Sequence, residues 1–273
     1  MIDPRPSVIA SRLSKVANII PVSGGKGGIG KSVISACLAL TLREAGNAVG
    51  LLDLDFTSPT LHVLLGMEKG TFPKEDKGIL PPEVHGIRFM TMAYYSGDKP
   101  APLRGEDFSN AMIELLAITR WEELDYLVVD MPPGITDAAL DTIHLLPSAQ
   151  TLLVTTPSRL AFETLRRLLG LLQAIPVGIT GVIENMVRQP GTFVRREVEA
   201  LSVPFLGSVS FEERLEEAVG DPGRLLKTEV AASVFRHFAS RKTVPISRTG
   251  MLTGPADARA SLTKGDEECS TLI

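Results

Sequence analysis

One ten-residue stretch restricts this chain more than any other: SGGKGGIGKS, Ser23 to Ser32. It joins an apolar run, Asn18 to Val22, to a helical pattern over residues 31 to 45, which Gly46-Asn47 stops. A glycine-rich turn between a strand and a helix is built to hold an anion, because backbone N–H groups and the helix N-terminus point at it. Two fingerprints overlap here. Gly25, Gly27 and Gly30 fit G-x-G-x-x-G, the dinucleotide loop, and Asp53 supplies the acid that loop wants about 20 residues on. Gly25, Gly30, Lys31 and Ser32 fit G-x-x-x-x-G-K-S, the phosphate loop of NTPases.

Three features favour the second reading. Lys31 and Ser32 follow Gly30 directly, where a lysine can reach β/γ-phosphates and a hydroxyl can hold Mg²⁺. A later apolar run, YLVVD, ends in Asp130, the strand-end acid of such sites. MPPG follows it, and Gly134 can offer a backbone N–H to a γ-phosphate and release it after hydrolysis. Taken alone, Asp130 is equally a plain strand-end carboxylate, and Asp55 an N-cap for a helix over Ser58 to Leu65.

The rest of the pattern is α/β. Apolar runs at Ala48–Leu54, Tyr126–Val129, Thr151–Thr155, Gly178–Ile183 and Val203–Leu206 alternate with helical patterns at about 107–119, 137–146 and 159–173. The runs are nearly all apolar, as in strands covered on both faces. The expected fold is one doubly wound, mostly parallel sheet with its ligand site at the strand C-terminal edge. A leading helix is expected within residues 1–17, with Val8, Ile9, Leu13 and Val16 on one side, then the nucleotide domain over 18–239. Residues 67–103 interrupt the alternation with one plausible strand, Ile87–Met92, and 240–273 read as a polar, disordered tail.

Composition trims the list of functions. A net charge of −4 without Lys/Arg blocks gives no hint of nucleic acid as a partner. No run reaches the roughly 18 apolar residues of a membrane span, and the first residues lack the apolar stretch of a secretory signal. Two cysteines, Cys37 and Cys269, suit a reducing, cytoplasmic setting. His62, His85, His144 and His237 are too dispersed for a metal site.

The lysine at the second position of the loop, Lys26, points further. With LLDLDFTSPTLHVLLG (51–66), PLRG (102–105), WEELDYLVVDMPPGITD (121–137), GVIENM (181–186) and VPFLG (203–207), the chain resembles the ParA/MinD class of deviant phosphate-loop (SIMIBI) ATPases, within it the Mrp branch. The resemblance implies roles. Gly25, Gly27, Gly28 and Gly30 would cradle phosphate, Lys31 would bind the β/γ-phosphates, and Ser32 the Mg²⁺ of bound ATP or ADP. Asp53 and Asp130 would serve that metal through water. Asp55 would orient the attacking water, and Asn185 would contact the adenine. Lys26 would reach across an ATP-dependent homodimer to the partner's nucleotide.

Many members of that branch hold an iron–sulfur cluster on a C-x-x-C pair after the E-N-M segment, and residues 184–207 contain no cysteine. Without that pair, the chain resembles the archaeal HypB group, on MIDPRP, PLRG and ELLAITRWEELDYLVVDMPPG. That resemblance implies nickel insertion into [NiFe] hydrogenase beside a HypA-like metal-binding partner. The alternatives are an Mrp-type iron–sulfur assembly ATPase acting on apo metalloproteins and a MinD/ParA-like spatial regulator. The membrane form of the last needs a basic amphipathic C-terminal helix, and the pattern from Leu225 to Phe238 looks core-packing instead. A dinucleotide oxidoreductase and a small-molecule kinase complete the field.

Overall fold

The computed structural model describes residues 3–67, 71–96, 106–146, 148–175 and 177–240. The PLRG segment and nearly all of the expected tail lie outside them. The chain begins with α1 (Arg5–Leu13), then β1 (Val16–Ser23), α2 (Lys31–Glu44), β2 (Val49–Asp53) and the single turn α3 (Leu61–Leu64). Three two-residue strands follow, β3 (Lys74–Glu75), β4 (Ile79–Leu80) and β5 (Glu83–Val84), then β6 (Ile87–Thr91), α4 (Ala93–Ser96) and α5 (Glu106–Ile118). The second half alternates β7 (Leu124–Asp130), α6 (Asp137–Leu145), β8 (Gln150–Thr155), α7 (Arg159–Gln173), β9 (Gly178–Val187), α8 (Phe193–Ala200) and β10 (Phe205–Ser210). A 3₁₀ turn (Glu213–Ala218), α9 (Pro222–Leu225) and α10 (Glu229–Ala239) close it.

The main sheet runs β10-β9-β8-β1-β7-β2-β6-β5, and every pair is parallel except β5–β6. This is the expected doubly wound α/β fold. From β1 the chain crosses one way to β2; after β6 it crosses the other way through β7, β8, β9 and β10. Right-handed crossovers therefore place α2 on one face and α5, α6, α7 and α8 on the other. Packing follows: α10 lies against α2, and α1 against α5 and α6. β2 is buried along its whole length, as is the last half of β7, so neither strand alternates. The order reverses around β1, which opens a crevice at the C-terminal ends of β1, β7 and β8.

Several boundaries differ from expectation for local reasons. α1 ends at Leu13, and Val16 is already strand; Val8 is 38% exposed, so Ile9 and Leu13 alone carry the buried stripe. No helix spans Ser58 to Leu65. Asp55 Oδ1 instead accepts from Thr57 Oγ1 (2.7 Å) and from the Ser58 N–H (3.1 Å), a turn that competes with helix, and only Leu61–Leu64 coil. The Leu225–Phe238 pattern breaks at Thr228, whose hydroxyl accepts from the Ala231 N–H and starts α10 afresh. Val230, Val234 and Phe238 are buried, so this helix packs inward. No helix among the described residues is long and apolar enough to cross a membrane.

Candidate functional site

The strand ends set the geometry. Val22, Asp130 and Asp53 lie in register across β1, β7 and β2, and Ser23 is the last residue of β1. The chain then turns through Gly24–Gly30 into α2 at the crevice. Two close approaches explain glycines. A Cβ on Gly25 would lie 2.4 Å from the backbone of Thr164 on α7, so the loop is pressed against that helix. Gly30 has φ +83°, and a Cβ there would lie 2.3 Å from Asn185 Nδ2. Gly27 and Gly28 face outward and are exposed; nothing stands within 4 Å of a Cβ at Gly28. Gly27 has Pro133 beside it, which brings the MPPG segment and Gly134 alongside the loop.

Lys31 is the first residue of α2 and is 7% exposed. Burial pulls its ammonium below the usual lysine range, and the carboxylates of Asp130 and Asp55 oppose that fall. Asp130 is 1% exposed, and its carboxyl is pushed up to about 6 by burial. Hydrogen bonds from Ser32 and Ser35, with the charge of Lys31, hold it down from going further. Asp53, also 1% exposed, sits well above the ordinary carboxylate range, first through burial and then through the charge of Asp130. Its oxygens accept from the Asp55 N–H (3.1 Å) and Thr91 Oγ1 (3.2 Å).

The residues expected from the sequence thus fall into three groups. Lys31, Ser32, Asp53, Asp55 and Asp130 are gathered at one point. Asn185 joins them through the loop, its Nδ2 donating to the Ile29 carbonyl at 2.9 Å. Lys26 stands apart: it is half-buried and makes no hydrogen bond or ion pair among the described residues. Sequence reasoning missed Ser35, fully buried one turn after Lys31, whose hydroxyl lies 2.9 Å from Asp130 Oδ1. It also missed Thr91. Both contacts are long-range in sequence and leave no local pattern. Among the described residues no group of three or more His, Cys, Asp or Glu could hold a metal by itself. Cys37 is fully buried in α2, and burial pushes its thiol up to about 12.

A buried lysine and a serine at the head of a helix, facing a strand-end aspartate across a glycine loop, define a P-loop NTPase. The chain belongs to the family described as ParA, NUBPL iron-transfer P-loop NTPase, which matches residues 15–241. It is 41% identical over 177 residues to an iron-sulfur cluster carrier protein of Pseudomonas fragi, covering 64% of this chain and 62% of that protein. It is 35% identical over 229 residues to an iron-sulfur cluster carrier protein of Synechocystis, covering 77% and 65%. The chain therefore spans less than two thirds of the length of either relative. Among solved structures, a nucleotide-binding protein of Archaeoglobus fulgidus in complex with ADP, with cobalt, superposes with a TM-score of 0.69 at 27% identity, covering 81% of this chain and 93% of that one.

These findings correct the nickel expectation. The family is one of iron transfer, and the matched relatives are iron–sulfur carriers. The hydrogenase role and the HypA-like partner, which the HypB resemblance and the absence of cysteine in residues 184–207 implied, give way to the iron–sulfur alternative.

Proposed function

We propose that this chain binds Mg-ATP in the Gly24–Ser32 loop, hydrolyses it as a homodimer, and uses the cycle in assembling or delivering iron–sulfur clusters to client metalloproteins. The observation that carries the nucleotide part is Lys31, a buried cation whose neighbours are Asp130 and Asp55. A lysine desolvated in this way is stabilised by gaining the charge of a triphosphate. The donor set also fits magnesium that arrives with the nucleotide. Ser32 offers a hydroxyl beside Asp130, and Asp53 is near enough for its pKa to feel the same carboxylate. When bound, the metal would neutralise charge on the phosphates.

The chain's own residues divide the work. Gly25, Gly27, Gly28 and Gly30 shape the cradle, with Gly134 beside it for the γ-phosphate. Lys31 binds and polarises. Ser32, Asp53 and Asp130 would hold the metal and its waters, and Asp55 would orient the attacking water. Asn185 borders the base. Lys26, which makes no hydrogen bond or ion pair among the described residues, completes the partner's site, so hydrolysis depends on association. Phosphoryl transfer needs such positioning and positive charge more than covalent chemistry. The cluster is cargo. Cys37 is no ligand for it in the folded chain, because a fully buried thiol with so high a pKa supplies no thiolate.

ATP binding, turnover and light scattering of the full chain test this. Lys31→Ala is expected to lose ATP binding, and Lys26→Ala to bind ATP but not hydrolyse it. Intact turnover in Lys26→Ala, or no change of mass with ATP, overturns the dimer mechanism. Pull-down with ATP, ADP or no nucleotide, followed by metal analysis, tests the cargo. Iron and sulfide recovered with the client support the reading; nickel without iron defeats it.

A further inference from the structure

Asn185 lies near the end of β9, 5% exposed, with its side chain against the phosphate loop 156 residues earlier in sequence. Its Nδ2 donates to the Ile29 carbonyl at 2.9 Å and sits where a Cβ of Gly30 would be. The Ile29–Gly30 peptide is planar and trans, so fixing the carbonyl toward Asn185 fixes the Gly30 N–H in the opposite direction. Gly30 itself is left-handed (φ +83°) and occupies the N-cap of α2 without a side chain to offer the helix. Its carbonyl accepts from the Ile34 N–H at 3.0 Å, closing the first helical turn. The orientation of the last loop peptide and the start of α2 are thus held from outside, by β9. A second contact closes the loop on itself: the Ile29 side chain, 2% exposed, packs where a Cβ of Gly24 would be.

We infer that Asn185 is a positioning residue for the phosphate loop, clamping the Ile29–Gly30 peptide so that the cradle is formed before any ligand arrives. This rests on reading the loop as a phosphate site, and it assigns Asn185 work beyond bordering a base. Its Oδ1 accepts no hydrogen bond among the described residues, so one amide can serve both sides at once. Phosphate affinity then depends on Asn185 even when the ligand has no base.

The test uses the full chain with Asn185→Leu and Asn185→Ala. Both remove the donor without adding charge, and either suffices if the other fails to fold. Affinities for Mg-ATP and for Mg-tripolyphosphate are measured by calorimetry. Amide hydrogen exchange over residues 24–31 is followed in the nucleotide-free protein, alongside its melting temperature. One lost neutral hydrogen bond corresponds to about a fivefold change. Tripolyphosphate is expected to weaken about fivefold along with ATP, and the loop amides to exchange severalfold faster while the rest of the sheet is unchanged. Weakened ATP with unaltered tripolyphosphate binding and unaltered loop exchange would make Asn185 a base reader alone and overturn the inference. Failure of the wild type to bind Mg-ATP would instead undo the proposed function, and the exchange measurement would still decide on the clamp.

Discussion

Asp53 and Asp130 face each other in register at the ends of adjacent parallel strands, each 1% exposed, and the Leu54 N–H donates to the Asp130 carbonyl at 3.0 Å. Two carboxylates buried side by side are unfavourable for the nucleotide-free fold and useful to a cation-bearing ligand. Both are raised, with burial as the leading cause.

Asp130→Asn should therefore stabilise the nucleotide-free protein while removing Mg-dependent turnover. Asp130 is raised from 3.8 to about 6. A raised carboxylate favours the fold fully below its unfolded value, and that contribution is lost as pH rises through about 6. The full penalty at pH 7.5 is about 3 kcal/mol. Thermal unfolding should show Asp130→Asn melting several degrees above wild type at pH 7.5, with the gap narrowing by pH 5. A variant that melts lower than wild type at pH 7.5 would mean that the contacts with Ser32, Ser35 and Lys31 outweigh burial.

Ser35→Ala removes a buried donor to Asp130. A hydrogen bond to a charged group contributes about 1.5–3 kcal/mol. The Mg²⁺ concentration that half-saturates turnover should rise severalfold, because the carboxylate loses its orientation. ATP affinity in the presence of a chelator should not change. An unaltered Mg²⁺ dependence would make Ser35 a packing residue.

Gly30→Ala and Gly170→Ala make a contrasting pair. At Gly30 the left-handed backbone costs a side chain about 1–2 kcal/mol, and the new methyl displaces Asn185. ATP affinity should fall by tenfold or more. Gly170 lies within α7 with nothing within 4 Å of a built Cβ, so alanine there should add about 0.5–1 kcal/mol to stability. Equal effects of the two would be inconsistent with the clash described at Gly30.

Cys37 should be silent to thiol reagents. In a Cys269→Ser chain, a disulfide reagent at pH 8 should release no chromophore until denaturant is added, because the thiol is buried and stays protonated. Rapid labelling of the native chain would place Cys37 at an accessible surface.

The phosphate loop was legible because its function demands residues at fixed local spacing. Lys31 and Ser32 announce themselves beside Gly30, and Asp130 ends an apolar run that could only be a buried strand. Ser35 was not legible. It reads as an ordinary helix-interior serine, and its partner is 95 residues away. α8 leaves little trace in the sequence because only Val194 and Val198 of its residues are buried, too thin a stripe to stand out. The engagement of the Asn185 amide by the loop was not legible either, since Ile29 lies 156 residues earlier. The nickel partner failed for another reason. A nucleotide site is shaped by phosphate and metal, and it carries little information about which client docks elsewhere. The absence of thiols in residues 184–207 does not identify the client, and kinship with iron–sulfur carriers bears on it instead.

The sheet order has a bearing on how the chain is born. Among the described residues β1 pairs with β7 and β8 alone, so VANIIPVS leaves the ribosome long before either neighbour exists. Until residue 130 has been made, this apolar strand has an unmet edge on both sides, and until residue 155 it still lacks β8; the loop beside it also lacks the amide that arrives with β9. Nascent chains halted earlier would be clients for holdase chaperones, and they would be unable to take up nucleotide.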